Sequence, residues 1–303
     1  MLDLCLLGTG GTVPLPERWL TSLLVRCGGT SMLIDCGEGT QITLNKQRYS
    51  VKQIDTILLT HFHADHTAGL PGLLLSMAKS DRTEPVTIYG PKGLGDILKG
   101  VLTVARYIPF ELRYREYENR EEVFTVGNMK ITAFAVKHSV PTYGYVIDVQ
   151  RDPKFDVEKA KKLNLPVKMW GLLQKGQTVE FEGNTYTPDM VLGEARKGIK
   201  VTYVTDTRPT DYITEHAMRS DLLIAEGMYG DPEKQEKAEY NKHMTMQESA
   251  AIAAKAGVKE LWFTHYSPSL KDPMIYEDIV KGIFANCVIT EDGHHKELSF
   301  EEK

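Results

Sequence analysis

The 303-residue chain has 42% hydrophobic and 25% charged residues, a balance that excludes wholesale disorder and repetitive fibrous architecture. Its 36 Lys and Arg against 41 Asp and Glu leave a formal charge of −5, which excludes a basic footprint over the whole surface but not a local basic patch. No apolar run approaches the length of a membrane span, and Met1-Leu2-Asp3 lacks the positive stretch that opens a signal peptide. The four cysteines, Cys5, Cys27, Cys36 and Cys287, have no CxxC spacing and read as reduced thiols, which predicts a cytoplasmic protein.

Leu2–Leu7 reads as a strand closed by the turn Gly8-Thr9-Gly10-Gly11. Ser22–Arg26 and Ser31–Ile34 are β-like runs joined through Gly28-Gly29, a pair able to take the positive φ of a tight hairpin. The turn Asp35–Gln41 leads into a helix. Ile54–Thr60 is a further strand, and after a dense polar cluster Pro71 opens a helix running to about Ala78. Pro85–Tyr89 and Met129–Val136 are strands again. Residues 151–200 differ: ten Lys and Arg face seven Asp and Glu, so the segment reads as a surface insertion or a substrate-contacting arm. The core pattern resumes with strands at Ile199–Thr205, Leu222–Ala225 and Glu260–Thr264, and a helix at Ser249–Ala256. Strands and helices alternate but hairpins occur too, which predicts mixed sheets covered by helices in one domain over 1–303.

The chemistry concentrates in His61-Phe62-His63-Ala64-Asp65-His66, with three imidazoles and a carboxylate in six residues. His61 and His63, two apart at a strand end, point to one side and can grip an ion, while Asp65 and His66 aim at a second point. Burying so many polar groups together is costly unless an ion organises them. His138, Asp206 and His265 fall at or just past other strand ends and complete a rim. Seven N and O donors with a carboxylate able to bridge suit two zinc or manganese ions, which clamp a phosphoryl oxygen and acidify water: hydrolase chemistry. Rival signals are weaker. Pro14 and Pro16 follow the Gly8–Gly11 turn where a phosphate-binding helix would run, and no GxSxG elbow exists. His216 reads as ordinary, and His294-His295 as solvated tail.

The His61–His66 cluster resembles the HxHxDH signature of the metallo-β-lactamase fold, a four-layer αβ/βα sandwich. Within that superfamily the chain resembles the ribonuclease Z family of tRNA 3′-processing endonucleases, through Asp35–Gln41, Thr60–Leu75, Asp206-Thr207-Arg208 and Thr264-His265. The resemblance implies one metal on His61, His63 and His138, another on Asp65, His66 and His265, and Asp206 bridging. It further implies Asp65 as proton acceptor, His243 assisting the leaving group, Glu226 holding His243, precursor tRNA as substrate, and a homodimer. Three positions depart from the family's usual pattern: Trp19 stands where Asn is usual, Ala225-Glu226-Gly227-Met228 replaces His-Glu-Ala-Thr, and the arm lacks a Gly-Pro pair near Pro166–Trp170. A small-molecule phosphodiesterase of the same fold and a non-catalytic metal-binding regulator are the alternatives.

Overall fold

The structure, a computed structural model, describes residues 1–301. They fall into two compact units, Met1–Val149 with Ile199–Ser299, and Gln150–Gly198 with Phe300 and Glu301. The first unit begins with β1 (Leu2–Gly8), β2 (Ser22–Cys27), β3 (Thr30–Ile34), α1 (Thr40–Lys46), β4 (Ile54–Leu58), α2 (Ala64–Thr67) and α3 (Leu70–Lys79). It continues through β5 (Val86–Gly90), α4 (Leu94–Val104), β6 (Leu112–Glu116), β7 (Glu121–Val126), β8 (Met129–Val136) and β9 (Thr142–Arg151). The second unit carries α5 (Val157–Lys162), α6 (Val167–Gln174) and the hairpin β10 (Val179–Phe181) and β11 (Asn184–Tyr186). Then come β12 (Arg196–Val204), α7 (Asp211–Ala217), β13 (Leu222–Glu226), α8 (Gln235–Asn241) and α9 (Met246–Ala256). The chain closes with β14 (Leu261–Thr264), α10 (Glu277–Ile283), β15 (Cys287–Ile289) and β16 (His295–Leu298).

Two seven-stranded sheets result, ordered β16-β1-β2-β3-β4-β5-β6 and β15-β14-β13-β12-β9-β8-β7. Both are mixed, for a local reason. Gly28 and Gly29, at φ 57° and 89°, make the two-residue turn that pairs β2 antiparallel with β3. Where α1, α3 and α4 intervene as crossovers, β3, β4, β5 and β6 run parallel. In the second sheet β12 to β15 are parallel and β7 to β9 antiparallel.

Side chains alternate across each sheet, and both faces are buried. Leu24, Leu33, Ile57 and Ile88 pack on Leu44, Leu73, Met77 and Leu98 of the helices, while Leu23, Met32, Ile34 and Leu58 on the opposite face are fully buried too. In the second sheet Leu223, Ala225, Leu261 and Phe263 meet α7, α9 and α10, with Leu222, Ile224 and Trp262 equally buried behind them. Helices outside and two sheets within make the four-layer αβ/βα sandwich. The Tyr145 hydroxyl of β9 donates to Leu59 O at 2.6 Å, and Tyr143 N to Thr60 O at 3.0 Å, so the second sheet holds the loop that leads to His61.

Two sequence expectations change. β4 stops at Leu58, so His61 and His63 sit in the loop beyond it rather than on the strand end. His294 is not a solvated tail residue: it is half-buried, with its ring edge-on to Trp262 at a centroid distance of 4.4 Å. The turn Glu291–Gly293 brings the chain back to β1 through Gly293 N to Leu6 O and Leu6 N to His294 O, making β16 an edge strand.

The second unit has its own small core of Ala160, Leu165, Leu173, Val179 and Val191, flanked by Phe155 and Trp170. Asp156 caps α5 by accepting from Lys159 N. Among the described residues no helix is long and apolar enough to cross a membrane.

Candidate metal centre

The seven predicted donors converge, Asp65 and His66 from the short helix α2 and the other five from loops at the ends of strands in both sheets. Their nearest atoms form two quartets. In the first, His61 Nε2 lies 2.9 Å from His63 Nδ1, His138 Nε2 lies 3.4 Å from His63 Nδ1, and Asp206 Oδ2 lies 3.7 and 3.8 Å from His61 and His138. In the second, His66 Nε2 and His265 Nε2 are 3.2 Å apart, Asp65 Oδ2 is 3.7 and 3.3 Å from them, and Asp206 Oδ1 is 3.2 and 3.1 Å from them. A tetrahedral ion with bonds of roughly 2.0–2.1 Å separates its ligands by about 3.3 Å. Both quartets have those dimensions, and Asp206 gives one oxygen to each.

The hydrogen bonds fix which ring atoms remain free. Asp35 Oδ2 accepts from His66 Nδ1 at 2.8 Å, and Lys242 O accepts from His138 Nδ1 at 3.0 Å. Thr60 Oγ1 donates to Asp35 and so accepts from His61 Nδ1 at 3.0 Å. Each of these rings therefore turns an Nε2 lone pair toward its quartet. Lone pairs and carboxylate oxygens facing one another repel unless a cation lies between them. Asp206 Oδ1, buried, has no hydrogen-bond donor among the described residues. The donor set fits divalent metal, and the cluster is a divalent metal-binding site.

The acidic groups also favour positive charge at the centre, whether as protons on its imidazoles or as a metal ion in their place. Burial favours neutral groups here, yet the charge of Asp206 and the hydrogen bond to Asp65 override it at His265, pushing its pKa up to about 10. His66 is raised against burial by Asp206, Asp35 and Asp65. Burial opposes ionisation of Asp206 too, but His265, His66 and His61 hold it well below the usual carboxylate range. The carboxylates thus draw positive charge into the centre. Asp206, His265 and Asp35 also take left-handed backbone, at φ 46°, 57° and 61°, just past β12, β14 and β3. Such conformations cost about 1–2 kcal/mol each and mark sites whose surroundings enforce them. Gly11, from the turn after β1, packs so close to His265 that a Cβ there would lie 2.7 Å from its ring. That turn thus packs against an imidazole of the second quartet.

A cavity of about 680 Å3 opens over the centre, lined by His63, Asp65, His138, Asp206, His243 and residues of the surrounding loops and of α8. Asp65 Oδ2 accepts from Thr12 N at 2.6 Å, fixing its carboxylate at the cavity floor. Glu226, fully buried at the end of β13, accepts from His243 Nδ1 at 2.9 Å and from Thr207 N at 2.8 Å. Burial works to discharge His243, but the Glu226 charge and hydrogen bond prevail and raise its pKa. Arg208 forks onto Glu248, the residue that completes the capping box of α9, and bonds His243 O, which fixes the His243 loop. Trp19 lies with its ring on Gly39 while its backbone N–H donates to Asp292 Oδ2 at 2.6 Å.

Sequence reasoning named the Asp35–Gln41 stretch but gave Asp35 itself no role. One buried carboxylate here orients a ligand of each quartet, His66 directly and His61 through Thr60. Asp35→Asn cannot accept from both Nδ1 and Thr60, and we expect about 10- to 100-fold weaker metal binding by calorimetric titration. An unchanged affinity would refute this role.

A family model described as Anti-Pycsar protein Apyc1 matches residues 2–164. The chain is 53% identical to the ribonuclease Z of Agathobacter rectalis and 51% identical to that of Lachnospira eligens, each match covering 100% of both chains. Among solved structures it resembles the short form of human tRNase Z, at a TM-score of 0.70 and 24% identity over 98% of this chain and 100% of that one. It also resembles YhfI of Bacillus subtilis, a metallo-β-lactamase fold protein, at 0.70 and 20% over 97% and 98%. The sandwich is the metallo-β-lactamase fold.

Proposed function

The chain belongs to the ribonuclease Z family over its full length and to the family of the Apyc1 model over residues 2–164, and from that premise we propose a zinc-dependent endonuclease that trims the 3′ end of precursor tRNA. The protein is a metal-dependent hydrolase acting on RNA phosphodiester bonds. His61, His63 and His138 would hold one ion and Asp65, His66 and His265 the other, with Asp206 shared between them. When bound, two such ions supply Lewis-acid charge for a phosphoryl oxygen and lower the pKa of water.

The chain's own groups do the rest. Asp65, held by Thr12 N–H at the cavity floor, accepts the proton of the attacking water. Glu226 keeps His243 protonated and turned so that Nε2–H is free to protonate the departing 3′ oxygen. The observation that carries this reading is the opening of a proton acceptor and a proton donor, Asp65 and His243, into one cavity above a shared carboxylate.

Several further features belong to the same reading. Residues 150–198, locally positive, would form an arm of the single catalytic domain that contacts the tRNA body. The protein would act as a homodimer in the cytoplasm.

The test is incubation of metal-analysed protein with a 3′-extended precursor tRNA and, in parallel, with a generic phosphodiester. Cleavage at the acceptor end supports the proposal. Turnover of the generic ester alone would move the substrate to a small molecule, and inertness toward both in a metal-replete sample would make the protein a metal-binding regulator.

A further inference from the structure

We infer that Tyr240 is a stacking platform for an unpaired base of the RNA whose scissile phosphate lies in the cavity, with Lys237 holding a backbone phosphate between them. The inference rests on the RNA reading above. It starts from α8, the short helix between Glu226 and His243. Lys237 and Asn241 of this helix line the cavity. At 3.6 residues per turn, Asn241 lies about 40° to one side of Lys237, toward the buried Ala238, and Tyr240 about 60° to the other. The face therefore runs outward from Asn241 through Lys237 to Tyr240, in steps of about 5–6 Å.

The inner side of α8 is pinned. Ala238 is buried with Met228 and Tyr229, Asn241 Nδ2 donates to the Tyr229 hydroxyl at 3.0 Å, and His243 N donates to Ala238 O at 2.9 Å. The Lys237 ammonium stands 5.6 Å over the Tyr229 ring. The Tyr240 side chain, by contrast, is 88% exposed and makes no hydrogen bond or ring contact among the described residues. A large aromatic ring held in water on a fixed helix adds nothing to the core. Beside a lysine at the mouth of a phosphodiester site, it has the chemistry that single-stranded RNA uses: cation to phosphate, ring to base. Tyr107 is equally exposed, but no residue within four of it in the chain lines this cavity, so exposure alone does not single out Tyr240.

The test compares metal-loaded wild type, Tyr240→Ala and Tyr240→Trp on a 3′-extended precursor tRNA and on bis(p-nitrophenyl) phosphate, which has no base to stack in that position. We expect Tyr240→Ala to raise KM for the RNA about tenfold with kcat unchanged, to leave ester hydrolysis at the wild-type rate, and Tyr240→Trp to restore the KM. An alanine variant with wild-type KM on RNA, or one that loses ester and RNA turnover alike, would overturn the assignment while leaving the nuclease reading in place. A wild-type enzyme that hydrolyses the ester and no RNA would overturn both.

Discussion

Replacing Asp65 by alanine is expected to reduce RNA turnover about a thousandfold or more, with the fold intact by circular dichroism. Positioned proton transfer contributes about 10²- to 10⁴-fold to rate, and Asp65 is also one of the two carboxylates of the second quartet, 3.3 Å from His265 Nε2. Alanine deletes both functions at once. It also strips the Thr12 N–H of its acceptor, at a cost of about 1–3 kcal/mol that a protein of this size can absorb. Asp65→Asn separates the effects: its amide oxygen keeps the Thr12 bond but cannot take a proton. If the asparagine variant turns over like wild type, Asp65 is a ligand or a structural acceptor only, and the proton goes elsewhere.

Chelation gives the second large effect. Stripping the centre should abolish hydrolysis and lower Tm by roughly 10 °C in a scanning calorimeter. A ligand present at about a thousand times its Kd stabilises the folded state by about 4 kcal/mol, and each kcal/mol shifts a domain of this size by about 2–4 °C. Restoring either zinc or manganese to the stripped protein identifies which ion supports turnover. Loading weakens as pH falls, because imidazoles must shed protons to bind metal. A chelated protein with undiminished activity and Tm would contradict the metal dependence.

Much of the centre was legible because its signal is dense. Three histidines and an aspartate in six residues have few explanations other than metal, whatever surrounds them. His138, Asp206 and His265 were weaker, since each alone is an unremarkable polar residue; only their places after apolar runs linked them. Asp35 illustrates the limit. Its role depends on a left-handed turn at φ 61° and on the loop beyond β4, neither of which leaves a periodic trace. The strand β16 was hidden for a related reason: a polar, charged edge strand has no buried alternation, and the chain end finds β1 only through a turn. The mixed sheets were readable from Gly28-Gly29 and the intervening helices. The strands β6 and β7, at the exposed sheet edges, were not.

The two quartets are assembled from distant parts of the chain. His66 and His265, whose Nε2 atoms lie 3.2 Å apart, are separated by 199 positions in sequence. An ion shared by such residues acts as a reversible cross-link. By the loop-entropy relation used for disulfides, closing a loop of that length constrains the unfolded chain by about 5 kcal/mol. With buried thiols and no disulfide, this protein would obtain from its catalytic ions the kind of staple that secreted proteins obtain from cystine. Metal scarcity would then act on its lifetime as well as its rate, with the unloaded chain opening more often and offering itself to proteases.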